Sequence, residues 1–106
     1  MAPGQTDQFL GTWQLEEADE ELQMNEPVEM EFRPNGELIY AIEAGDRWQI
    51  MRLTYRIRGE HLVTDQPTSP KEEETRFRFD HRGALVLDYG GAKCTFIRGE
   101  KRAPDV

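Results

Sequence analysis

The chain has 106 residues, 37% hydrophobic and 32% charged, with 13 Lys and Arg against 21 Asp and Glu for a formal charge of -8. That length supports one domain, no apolar run reaches the roughly 18 residues of a membrane helix, and no basic, apolar signal segment opens the sequence. A single Cys excludes an intramolecular disulfide framework and a cysteine-rich zinc site, and the acidic balance argues against a nucleic-acid binder, whose affinity rests on phosphate neutralisation.

Taken in chain order, the sequence reads as short strands and tight turns. Thr6 to Leu10 is the one stretch suited to a short helical turn, with Thr6 or Asp7 as its cap. Thr12 to Glu16 alternates, with Trp13 and Leu15 on one face, and Val28 to Arg33 alternates almost perfectly. Pro34-Asn35-Gly36 is a hairpin turn, because Asn-Gly tolerates the positive φ that tight hairpins need. Glu37 to Glu43 follows, with Leu38, Tyr40 and Ile42 on one face, and Ala44-Gly45-Asp46 turns the chain again. Arg47 to Arg58 is the longest segment. Met51, Leu53, Tyr55 and Ile57 share one face there, while Trp48 and Ile50 have the wrong parity. A β-bulge near Gln49–Met51 would restore it.

His61 to Asp65 is the fifth strand, and Gln66 to Glu74 is the only long loop. Thr75 to Asp80 places Phe77 and Phe79 inward and Arg76 and Arg78 outward. Leu85, Leu87 and Tyr89 mark the seventh strand, and Ala92 to Arg98 the eighth, with Cys94 and Phe96 inward. Gly99 to Val106 is polar and expected to fray. Eight short antiparallel strands favour closure into an up-and-down barrel, which removes exposed edges. The expected fold is therefore all-β, one eight-stranded barrel domain over about residues 9–98.

Charge is unevenly spread. Residues 1–46 hold twelve acids and one base, Arg33, a local sum of -11; residues 47–106 hold nine acids and twelve bases, a local sum of +3. Cross-strand pairing of opposite charges is the ordinary outcome; a cationic patch that binds an anion is the sharper one. The aromatic residues Trp13, Phe32, Tyr40, Trp48, Tyr55, Phe77, Phe79, Tyr89 and Phe96 mostly follow inward parity. So many large residues on short strands predict a mostly filled barrel.

Phe9-Leu10-Gly11-Thr12-Trp13 resembles the Gly-x-Trp motif of the calycin superfamily, the lipocalins and their relatives. Phe32-Arg33-Pro34-Asn35-Gly36 and Tyr55-Arg56-Ile57 resemble the pattern of small bacterial lipocalin-like domains. The resemblance implies that Trp13 plugs one barrel end and that Arg98, near the end of the last strand, packs across its indole. Cation–π attraction and capping of nearby carbonyls give that arrangement a physical basis. Any cavity should then open opposite Trp13, with Tyr40, Met51, Tyr55 and Phe79 as lining residues and Arg52 or Arg76 attracting an acidic head group at the rim. Lipocalins proper are longer, with longer strands and a helix packed on the barrel, which this chain does not show.

Residues that carry chemistry are few. His61 and His81 lie beside unrelated turns and read as surface residues rather than ligands for metal or heme. Cys94 has inward parity and reads as a small buried hydrophobe. Thr68 and Ser69 sit in a loop without a nearby histidine, and the carboxylate run from Glu16 to Glu21 lacks the spacing of a cation-binding loop. No catalytic set, cofactor or metal is expected. The lone Cys suits a cytoplasmic location for the chain as written, or export if an upstream signal has been removed. The expected function is non-catalytic binding of a small hydrophobic or amphipathic molecule. The alternative is a protein-interaction module that uses its surface charge around a filled barrel.

Overall fold

A computed structural model describes residues 7–68 and 70–106. Eight antiparallel strands follow one another around a closed barrel: β1 (Gly11–Ala18), β2 (Val28–Phe32), β3 (Glu37–Ala44), β4 (Arg47–Arg58), β5 (His61–Asp65), β6 (Glu73–Phe79), β7 (Leu85–Tyr89) and β8 (Ala92–Arg98). β8 returns to pair with β1, Trp13 standing opposite Arg98 and Leu15 opposite Phe96. Every strand therefore has two partners and no edge is left open. This up-and-down closure is compatible with a lipocalin-like barrel. Each expected strand is present. β1 runs two residues further than its alternation suggested, and β6 starts at Glu73 rather than Thr75.

The β1–β2 connection carries a short 3₁₀ turn, Glu20–Leu22, and its Leu22 and Met24 pack against the core. Ahead of β1, the Leu10 amide donates to the Asp7 carbonyl at 3.2 Å and closes a turn. Thr6, the other expected cap, lies outside the described residues, as does Ser69.

The bulge is on a different strand from the one expected. Pairing between β3 and β4 runs without a break from Glu37–Thr54 to Ala44–Arg47. The register shift falls instead in β1, between Leu15 and Glu17. Trp48 and Ile50 keep their parity and face outward, beside Glu43 and Ala41. They are half-buried there, beside β3, whose own outer face carries a second, external layer. Ile39 and Ala41 alternate with the inward residues of β3, yet they are only 2% and 1% exposed.

The C-terminal residues supply that layer. Gly99–Val106, expected to fray, lies across the outer face of β1, β2 and β3. Gly99 N–H donates to the Thr12 carbonyl at 3.1 Å, and Gln14 Nε2 donates to the Glu100 carbonyl at 2.8 Å. Glu29, also outward and 2% exposed, anchors the strap. Its carboxylate accepts the Arg102 amide at 2.7 Å, the Ala103 amide at 3.3 Å and Gln14 Nε2 at 2.7 Å. Lys101 reaches Glu31 at 2.7 Å, and Arg102 reaches Glu43 at 3.3 Å. A polar sequence stays in place because one buried carboxylate satisfies several donors at once.

Removing that acceptor leaves buried amides without a partner. Glu29→Ala should cost about 2–3 kcal/mol in urea unfolding. Amide exchange at Arg102 and Ala103 should rise more than exchange in β5–β7. Unchanged protection at both amides would show that the strap is held by something else.

Candidate ligand-binding site

The barrel interior is divided along its axis, and the plugged end explains why. Trp13 is fully buried at the start of β1, and its indole N–H donates to the Phe9 carbonyl at 2.7 Å. The Arg98 guanidinium lies over the indole, 4.3 Å from the ring centroid. It donates from Nη1 to the Leu10 carbonyl at 2.6 Å and from Nη2 to the Gln8 carbonyl at 2.7 Å. One planar fork covers the ring and ties down the chain that enters β1. Gly11 has φ of +113°, and a Cβ there would stand 2.9 Å from Arg98 Nη1. Glycine is thus required both by the backbone and by the guanidinium.

Phe9 completes the plug, and strand parity did not reveal it because it precedes β1. Its ring meets Phe77 at 4.8 Å, Phe32 at 5.1 Å and Phe79 at 5.2 Å between centroids. Tyr55 extends the cluster, edge-on to Phe32 at 5.0 Å, with its hydroxyl donating to the Arg33 carbonyl at 2.9 Å. This half of the barrel is filled by aromatic rings.

The opposite half is hollow. A cup of about 390 Å³ opens away from Trp13. Its apolar wall comes from Met30, Leu38, Ile42, Leu53, Leu62 and Leu87. Tyr40, Met51, Thr64, Glu73, Thr75 and Tyr89 carry the wall to the rim. The register accounts for the set: Tyr40 pairs with Met51, Leu62 with Thr75, and Thr64 with Glu73. Threonines at these places leave room that phenylalanines take at the plugged end. The filled interior expected from the aromatic count is thus confined to one half of the barrel.

Of the lining residues expected from sequence, Tyr40 and Met51 border the cup. Tyr55 and Phe79 also point inward, but they belong to the plugged end, Phe79 lying 6.0 Å from Trp13. Parity gives the face of a strand and not the height along the barrel. Arg52 and Arg76 stand on the outer face, where Arg52 meets Glu37 at 3.4 Å and Arg76 meets Glu60 at 2.8 Å. Neither reaches the rim. Glu73, Thr64 and Thr75 are the lining residues that sequence reading missed. Within Gln66 to Glu74 the composition around Glu73 reads as loop, although its two-residue step from Thr75 carries the strand signal.

Burial pushes the Tyr40 hydroxyl above its usual range, and neighbouring Cys94 adds to this. Tyr89 is partly exposed at the rim, yet its hydroxyl is raised further, by loss of solvent and by Cys94, Tyr40 and Glu73. Both phenols therefore stay neutral and can donate or accept a hydrogen bond. Cys94 is 1% exposed below the cup, and burial, aided by Asp19, pushes its thiol up to about 11.

The histidines are not gathered with this site. His61 opens β5 opposite Arg58, and His81 is exposed in the β6–β7 turn. Among the described residues no three His, Cys, Asp or Glu side chains converge as a metal site would require. No family model matches the chain, and comparison with curated proteins and with solved structures likewise gives no match.

Two outcomes follow from these surroundings. Trp13→Ala removes a fully buried ring and should cost about 3–5 kcal/mol; a nearly unchanged melting curve would show that the plug is misassigned. The Cys94 thiol is protonated and enclosed, so a thiol reagent at mildly alkaline pH should label it only after unfolding. Rapid labelling of the folded protein would contradict that burial.

Proposed function

We propose that the protein is a non-catalytic binding protein of the lipocalin-like kind, which takes one small apolar or amphipathic molecule into the open half of its barrel. The cup is the observation that carries this reading. Its volume of about 390 Å³ falls in the range typical of small-molecule sites, and a mainly apolar wall with a few polar groups is their usual composition. At about 30 Å³ per atom, the liquid-like share of a water, it has room for roughly a dozen heavy atoms. The Gly11, Trp13 and Arg98 arrangement supports a calycin-like assignment, because it has the parts and the contacts that the motif calls for. The surface-charge alternative has less support. Arg52, Arg56, Arg58, Arg76, Arg82 and Arg102 are each engaged by a neighbouring carboxylate.

Octan-1-ol tests the reading, being small enough for the cup and amphipathic. Calorimetric titration should show one molecule bound per chain, with amide shifts in NMR spectra clustered on Tyr40, Leu53, Thr64 and Tyr89. Thr64→Trp places an indole at the rim and should weaken binding about tenfold or more while the melting temperature changes little. Absence of saturable binding, or shifts confined to the outer face, would sink the proposal.

A further inference from the structure

We infer that the cup selects by charge, taking amphiphiles with an ammonium or other cationic polar end in preference to carboxylates, with Glu73 as the group that meets the head. The inference rests on the ligand-cup reading and adds the class of ligand to it.

The polar groups that line the cup are Tyr40, Thr64, Glu73, Thr75 and Tyr89. Among the described residues Glu73 is the only charged one. Its place in the wall follows from the β5–β6 register, which sets it opposite Thr64 and two residues from Thr75. Its carboxylate is at the mouth, 64% exposed, and the Lys71 ammonium is 4.0 Å away and 80% exposed. So loose and exposed a pair is easily displaced by another cation. The neutral hydroxyls of Tyr40 and Tyr89 can turn towards any head group, so the sign of the preference is set by Glu73.

The connections at this end act in the same direction. The β1–β2 connection carries Asp19, Glu20, Glu21 and Glu26 and no base, and the β3–β4 turn adds Asp46. Arg47, which opens β4, Lys71, and Lys93, which stands opposite Asp88 near the start of β8, are the bases nearest the mouth in the chain, fewer than the acids. The arginines that a carboxylate ligand would need, Arg52 and Arg76, are outward and paired. An acidic mouth over low-dielectric walls raises the local concentration of cations and repels anions.

Octylamine, octan-1-ol and octanoate carry one chain with three head groups. Calorimetric titration at low salt and near-neutral pH should rank octylamine tightest and octanoate weakest. The span should be about tenfold or more, as expected for one charge contact near a protein surface. Glu73→Gln should bring octylamine to within about threefold of octan-1-ol measured on the same variant. Raising salt to about 0.5 M should narrow the wild-type span. Equal binding of the three by the wild-type protein, tighter binding of octanoate, or an amine preference that survives Glu73→Gln would overturn the inference and leave the cup reading standing. Failure of all three ligands to bind would overturn the cup reading, and this inference with it.

Discussion

The contact on which the rest of the barrel depends is the guanidinium of Arg98 laid over the indole of Trp13. An eight-stranded barrel is just wide enough to be filled by side chains, so where the largest ones go decides where space remains. Trp13, Phe9, Phe32, Phe77 and Phe79 gather at one end. Burying an indole there needs a partner for its N–H, which the Phe9 carbonyl supplies, and a cover for its outer face. Arginine supplies the cover and, with the same planar group, holds the Gln8 and Leu10 carbonyls. A lysine ammonium is a point charge on a flexible stem and cannot stack and fork together. Space displaced from this end reappears at the other as the cup.

The outside of the barrel has its own logic. Closure removes the strand edges but leaves an outer face, and in the middle of β3 that face is not polar. Ile39 and Ala41 need a cover, and the C-terminal strap provides it, pinned by Glu29. A buried carboxylate is costly unless its acceptor sites are filled. Gln14 and the Arg102 and Ala103 amides fill them. The strap thereby ties the residues after β8 to β1 and β2: Gly99 bonds to Thr12 and Ala103 to Glu29.

How much of this was legible in the sequence varies with the kind of signal. Eight strands and their closure were readable, because period-two alternation and glycine turns are local properties. The Gly11, Trp13 and Arg98 set was readable as a resemblance, and Gly11 now has its reason in the close approach of Arg98. Trp48 and Ile50 misled, because an apolar residue of the wrong parity looks the same whether it marks a bulge or an external layer. Tyr55 and Phe79 were placed on the correct face but at the wrong height, since alternation carries no information about position along the barrel axis. Glu73 was hidden by its company. In a run of three glutamates it reads as loop, and only pairing with Thr64 turns its side chain to the mouth.

The charge asymmetry gains a physical meaning from the same pairing. Most bases of the second half are held by local carboxylates: Arg56 and Arg58 by Glu72 and Glu74, Arg76 by Glu60, and Arg82 by Glu16 and Asp80. Exposed pairs of this kind are screened by solvent and cost side-chain entropy to form, so these contacts do little for stability. Their effect is on where net charge remains. Cations spent along β4, β6 and the turn at Arg82 cannot neutralise Asp19, Glu20, Glu21 and Glu26, which lie at the other end of the chain's charge gradient and beside the open end of the barrel. A total of -8 distributed evenly would bear only on solubility. The excess of acids over bases beside the cup's mouth gives that opening a sign.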